Sequence, residues 1–446
     1  MSVPTAAAAL LLFLAPGFAL TGLLPDVRGR ALPVRLALGW LLGLAWVAGM
    51  LYALSHLLQV ALSGTAIGIL AALPVVAWLA TRPSRRTVRR RRFRPLVLVP
   101  LAIGGIASAA LFLDAAANPV TDWDGRMTWG AHARHIRAAR SVDADTLRNG
   151  RYLVFHPRYP ALLPVAQAAA LEVTGSEDER LTRLLYAAFL PCFLTLVFAF
   201  SAPRGGLLVA CALTSAAALL PQLTYDSWGA AGLESDLPLG CFLGASFLLL
   251  VQRRGVSTPA FLLAAAVLTK SEGLPLAIAA LAVCLLPARN RRRLLAPALA
   301  IVLAAFFLWT WRAGITDRMT DAYAAPSLAA LGRAAGALRP SLAAFLDTQR
   351  WGLFWPVAAL ILLMGRRGLS RPLLLFVALA LVFYAGAWAL HTTAIEKIVE
   401  RTLSRFLLQL ALPALALLSD ALRTVDGTPR PAGGAGGGLG APRNTI

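Results

Sequence analysis

Hydrophobic residues in this chain come in uninterrupted runs, not in alternation. Apolar stretches at about 5–24, 35–57, 60–80, 95–113, 181–200, 206–224, 237–252, 258–269, 274–287, 294–311, 351–364, 372–390 and 405–420 are separated by polar segments. Runs of roughly 17–25 apolar residues are what an α-helix needs to cross about 30 Å of hydrocarbon, whereas a membrane barrel would show shorter, alternating segments. The pattern predicts an all-α, polytopic membrane helical protein with about 13 transmembrane helices. The arms 258–269 and 274–287 are short and read as a hairpin with Lys270 and Glu272 at its tip. The longest polar interruption runs from Asp114 to Pro160.

Composition agrees with the pattern. Of 446 residues, 58% are hydrophobic and 14% charged, and the mean hydropathy is +0.69, which excludes an ordinary soluble domain. A net charge of +21 would suggest a nucleic-acid partner in a soluble chain. Here the arginines sit mainly in short loops between apolar runs, so they read as topology and no nucleic acid is expected. Eight arginines between Arg82 and Arg94 mark that loop as cytoplasmic. Counting crossings from it places the N-terminus and residues 114–160 outside and the C-terminus inside, with membrane lipid as the surrounding partner. Cys192, Cys211, Cys241 and Cys284 lie in or beside apolar runs without metal spacing and read as small packing residues. Three regions follow: 1–94, three spans and the arginine loop; 95–420, the main transmembrane region with outer loops 114–160, 225–236 and 312–350; and 421–446, a glycine- and proline-rich tail expected to be disordered in the cytoplasm.

The same count gathers the chemistry on one side. Asp122, Asp124, His156, Arg158, Tyr159, Glu234, Asp236, Lys270, Arg401 and Arg405 all fall outside, at or near helix ends. Ionisable groups at membrane depth are costly and normally face a cavity or a partner, so an outward cavity holding both acids and bases is expected. A carboxylate beside a tryptophan, as in Asp122-Trp123-Asp124, can have its pKa raised enough to take a proton from a hydroxyl, or as a pair can hold a divalent cation. The bland alternative is an acidic turn. Glu234 and Asp236 precede a helix with Pro238 in its first turn, a place favourable for carboxylates whatever the function. Lys270 can pair with Glu272 or hold a phosphate, and Arg405 can snorkel or complete a phosphate clamp.

In order along the chain, TDWDGRMTWGAHAR, HPRYPALLP, ESDLPLGCFLGASFLLL, LTKSEGLPL and SRFLLQLALPALALL resemble motifs of the GT-C superfamily of membrane glycosyltransferases, over roughly residues 95–420. Protein O-mannosyltransferases and lipid A aminoarabinose transferases are members of that superfamily. The resemblance implies a GT-C-like fold whose long first outer loop carries the catalytic acid. It also implies inverting transfer of a sugar from a polyprenyl-phosphate donor to a glycan, lipid or protein acceptor of the envelope. Asp124, with Asp122, would be the catalytic acid; Lys270, Arg405, Arg401 and Arg158 would meet the donor phosphate. Glu234, Asp236, His156 and Tyr159 would form an acceptor or cation site, with Mg or Mn as the cation. The setting implied is the bacterial inner membrane, with the site facing outside. Phe406 stands where the family usually has tyrosine, and Trp123 separates acids that are usually adjacent. A transporter or flippase of a lipid-linked or anionic substrate is the rival reading. It would be expected to show paired broken helices in two pseudo-symmetric halves, and the charge here is loaded on one outer face.

Overall fold

The computed structural model describes residues 1–81, 94–144, 159–252, 255–285, 292–313, 336–391 and 394–425. Every regular element among them is a helix. We label the helices α1 (Val3–Leu23), α2 (Leu32–Leu58), α3 (Gly64–Thr81), α4 (Leu98–Ala117), α5 (Ala131–Ala139), α6 (Leu162–Thr174), α7 (Arg180–Ala187), α8 (Phe189–Leu219), α9 (Asp236–Val251), α10 (Ser257–Thr269), α11 (Gly273–Leu285), α12 (Arg292–Ala313), α13 (Leu338–Phe345), α14 (Phe354–Met364), α15 (Arg371–Leu390) and α16 (Ile395–Val425). Seven helical stretches among the described residues are long and apolar enough to cross a membrane: Val3–Leu23, Leu32–Leu58, Gly64–Thr81, Pro95–Ala117, Arg180–Leu219, Arg371–Leu390 and Ile395–Arg423. Shorter apolar helices complete the bundle. This is a helical, multi-pass membrane architecture.

The two runs expected as separate spans, 181–200 and 206–224, lie on either side of a kink at Gly206 within the helical stretch Arg180–Leu219. Forty residues of straight helix would measure about 60 Å, twice the hydrocarbon thickness. The stretch is divided at Gly206, whose φ of +86° suits glycine, three residues after Pro203, which has no N–H to give to the helix. The hairpin arms match the expectation closely, with Lys270 in the turn between α10 and α11. Helix α6 was not anticipated; it follows Pro160 directly, in a stretch assigned to no span. Helix α16 continues to Val425, past the expected start of the tail at 421; residues 426–446 lie outside the described set.

The centre of the bundle is α9. It is apolar on every face, and a helix with no polar stripe has to be buried; all its residues from Asp236 to Leu250 are. It packs on α8, α10, α11 and α16. The approach to α16 is close: a Cβ on Gly240 would lie 2.8 Å from the Leu408 carbonyl oxygen, and one on Gly244 would lie 2.8 Å from Leu412 Cβ. Small residues four apart are a common way for helices in a membrane to approach backbone to backbone. The region before residue 94 belongs to the same core, since α2 packs on α6, α8 and α10. At the end of α10 remote from Lys270, Asp26 from the α1–α2 connection accepts from Thr258 N and Thr258 Oγ1, both at 2.9 Å. It thereby caps a helix start. Helices α3, α4, α14 and α15 carry exposed leucines, isoleucines and valines on their outer sides.

Candidate functional site

Asp236 opens α9, where free backbone N–H groups and the helix dipole favour a carboxylate. It is fully buried, and its partners come from two other elements. Oδ1 accepts from Lys270 Nζ and Gln409 Nε2, both at 2.6 Å, and Oδ2 accepts from Arg405 Nε at 2.8 Å. Lys270 reaches it from the break between α10 and α11. Arg405 and Gln409 are four residues apart on α16, so they share a face. Tyr384 of α15 donates to Gln409 Oε1 at 2.7 Å, fixing the amide so that its nitrogen meets Asp236. A buried charge is tolerated when paired and hydrogen-bonded, and this one is on both counts.

The cluster widens from there. Arg405 Nη2 donates to Glu234 Oε2 at 2.9 Å, and Trp129 Nε1 donates to the same oxygen at 3.3 Å. Lys270 Nζ also lies 3.4 Å from Glu272 Oε1. Arg405 Nη1 faces Asp124 Oδ2 at 3.9 Å, its loosest acid contact. The side chain of Asp124 is 54% exposed and that of Glu234 only 2%, so Asp124 stands at the mouth and Glu234 in the floor. Trp129 stacks on Tyr159 with ring centroids 5.6 Å apart. Phe406, the departure from the family motif, stacks on Tyr384 at 3.9 Å and on Trp388 at 5.7 Å, a packing role that needs no hydroxyl.

The structure therefore brings together Asp124, Glu234, Asp236, Lys270, Arg405 and Tyr159. Asp122 is beside them but turned away: its Oδ2 accepts from Gly125 N at 2.7 Å, closing the start of the π-helical turn Gly125–Gly130. Lys270 is buried behind Arg405, with Asp236 and Glu272 around its ammonium. Arg401 is exposed one turn before Arg405 and makes no ion pair among the described residues. His156 and Arg158 lie outside the described residues.

Sequence reading missed Gln409, Tyr384 and Trp129, whose polar atoms carry no charge. It also missed Arg183. That guanidinium contacts Asp114 Oδ2 at 2.6 Å, Asn118 O at 2.9 Å and Ala231 O at 3.1 Å, tying the root of the Asp122–Asp124 segment to the loop that carries Glu234. An arginine inside the otherwise apolar LTRLLYA was the available signal. Beyond the mouth, Arg350 lies 3.7 Å from both Asp226 and Asp347, with its guanidinium carbon 4.6 Å from the Trp228 ring centroid.

Burial pushes the Glu234 carboxyl up to about 8, with Arg405 opposing the rise and Asp236 and Asp124 adding to it. Burial likewise raises the carboxyl of Asp122 and the phenol of Tyr159. Among the described residues no group of three His, Cys, Asp or Glu is arranged to hold a metal ion. The donor set explains this: the buried carboxylates are engaged by lysine and arginine, and Asp122 by a backbone N–H. These residues do not fit a cation site, and no step is assigned to one. No protein-family model, curated protein or solved structure matches the chain.

Proposed function

We propose that this chain is a membrane glycosyltransferase that moves a sugar from a polyprenyl-phosphate donor to an envelope acceptor, with its site on the outer face of a bacterial inner membrane. The observation that carries this reading is the convergence of Asp124, Glu234, Asp236, Lys270 and Arg405, from four separate segments, into one charged cluster with an exposed carboxylate at its mouth. The family resemblance of the surrounding motifs supplies the reaction. The acceptor hydroxyl attacks the anomeric carbon, the bond from that carbon to the phosphate oxygen breaks with its electron pair staying on the phosphate, and the hydroxyl proton passes to Asp124.

The geometry divides the roles. Asp124 is the acid that a soluble acceptor can reach. Arg405 is the cation nearest to it and the natural counter-charge for the departing phosphate. Lys270 acts through Asp236, which holds the Arg405 Nε and so fixes the direction of the guanidinium. Asp122 shapes the turn that presents Asp124.

The test is incubation of purified protein with radiolabelled polyprenyl-phosphate sugars and envelope fractions, with and without a chelator. Wild type should release or transfer the label. Asp124→Asn should express normally and lose about 100-fold or more of the rate, the range for removing a general base. A rate within about twofold of wild type would refute the role of Asp124. Movement of intact donor across proteoliposomes without transfer would select the flippase reading.

A further inference from the structure

Glu234 is a buried carboxyl with its two oxygens in unlike situations. Both of its hydrogen-bond donors, Arg405 Nη2 at 2.9 Å and Trp129 Nε1 at 3.3 Å, land on Oε2. Oε1 accepts no hydrogen bond among the described residues. An ionised carboxylate can also take two donors on one oxygen, as Asp236 does at Oδ1, so the telling feature is that Oε1 of Glu234 is left without a donor among the described residues. A neutral carboxylic acid does what is seen here: its carbonyl oxygen accepts and its hydroxyl is left to donate.

Charge bookkeeping points the same way. The innermost groups are Asp236, Lys270, Arg405 and Glu234. Glu272, 3.4 Å from the Lys270 ammonium, belongs to the same count: with Glu234 ionised the five groups carry one net negative charge, and with Glu234 protonated they sum to zero. The groups facing Glu234 are Arg405 on α16, Lys270 at the α10–α11 break, Asp236 on α9, Asp124 at the mouth, and the phenols Tyr159 and Tyr186. Burial, with the two aspartates, outweighs the two cations and holds the proton on Glu234 up to about 8.

We infer that Glu234 works as a hydrogen-bond donor: its Oε1 hydroxyl and the Arg405 guanidinium together form a cradle for one oxygen of a phosphodiester. This rests on the proposed use of a polyprenyl-phosphate donor and deepens it. The contact between Arg405 Nη1 and Asp124, at 3.9 Å, is the one that an incoming phosphate oxygen can replace. Protonated carboxylic acids in apolar sites are known to serve as donors to oxyanions. Ionisation of Glu234 would remove the donor and place a negative charge against the phosphate.

The experiment measures binding of farnesyl methyl phosphate to the detergent-solubilised full chain between about pH 7 and about pH 9.5. A diester is used because a phosphate monoester itself titrates near pH 6. Wild-type affinity should fall by about thirtyfold over that range, as the competent fraction falls about tenfold per unit above the Glu234 pKa. Glu234→Gln keeps the shape and a permanent N–H donor, and should bind as wild type does at neutral pH with a flat profile. A flat wild-type profile, or an unchanged fall in Glu234→Gln, would overturn the donor role of Glu234 and leave the transferase reading standing. Failure of the wild type to bind the diester at any pH, or binding of the diester no tighter than of farnesol, would overturn the polyprenyl-phosphate reading itself.

Discussion

At the scale of single residues, the site is built by matching each buried oxygen to a donor. Asp236 has three: an ammonium, a guanidinium and an amide. Removing any one strands a charge in a low-dielectric interior, which is why such groups come as a set. Glu234 is the member whose ionisation the interior resists, and this has a pH signature. Its folded-state carboxyl sits near 8, well above the ordinary carboxyl range. Between those values the folded protein keeps a proton that the unfolded chain releases, so stability from this group is full at low pH and falls as pH rises to about 8. Thermal unfolding in detergent should therefore show wild type losing more between about pH 6 and about pH 9 than Glu234→Gln does. Equal losses would show that Glu234 is already ionised in the fold. The charged members of the set were legible in the sequence, because Asp236, Lys270 and Arg405 each interrupt or border apolar sequence. Gln409 and Tyr384 were not, since an uncharged polar side chain on a helix gives no sign of which neighbour it faces.

At the scale of elements, the hairpin arms and most apolar runs could be read directly, because length and hydropathy are one-dimensional properties. What escaped depends on three-dimensional approach. The run 114–160 reads as the longest polar interruption, but its described part ends α4, forms the π-helical turn and then α5, with Trp129, His132 and Ile136 buried against the protein. Packing of α5 on α6 holds that segment against the bundle. Arg183 was hidden for a related reason: several of its acceptors are backbone carbonyls from the 114–119 and 231 segments, and carbonyls leave no trace in sequence. It is the cross-tie between the two acid-bearing loops. Arg183→Met keeps most of the apolar stem and removes the donors, so hydrogen exchange should speed up at residues 118–130 and 231–234 while helix content stays constant. Unchanged exchange there would mean that the loops are held by packing alone.

At the scale of the whole molecule, the sequence predicted a helical bundle in a membrane, and the charge clusters suggested a sidedness that a labelling experiment can check. All four native cysteines are buried, which keeps the background low. Tyr225 is 77% exposed beside the site, so Tyr225→Cys in intact cells should react with a membrane-impermeant maleimide from outside. Reaction only after permeabilisation would reverse the topology. The N-terminal region, which the motifs left unplaced, is part of the same core and reaches α10 through Asp26. The motif pattern covers only later residues, and packing across a bundle has no local signature. The charged cluster is assembled on two helices, α9 and α16, and their separation is governed one turn below Asp236 by Gly240, where a methyl group would meet the Leu408 carbonyl. The distance between Asp236 and Arg405 is thus set by a missing side chain. A carbon atom that bears no charge and touches no substrate is enough to detune the electrostatics of the whole site.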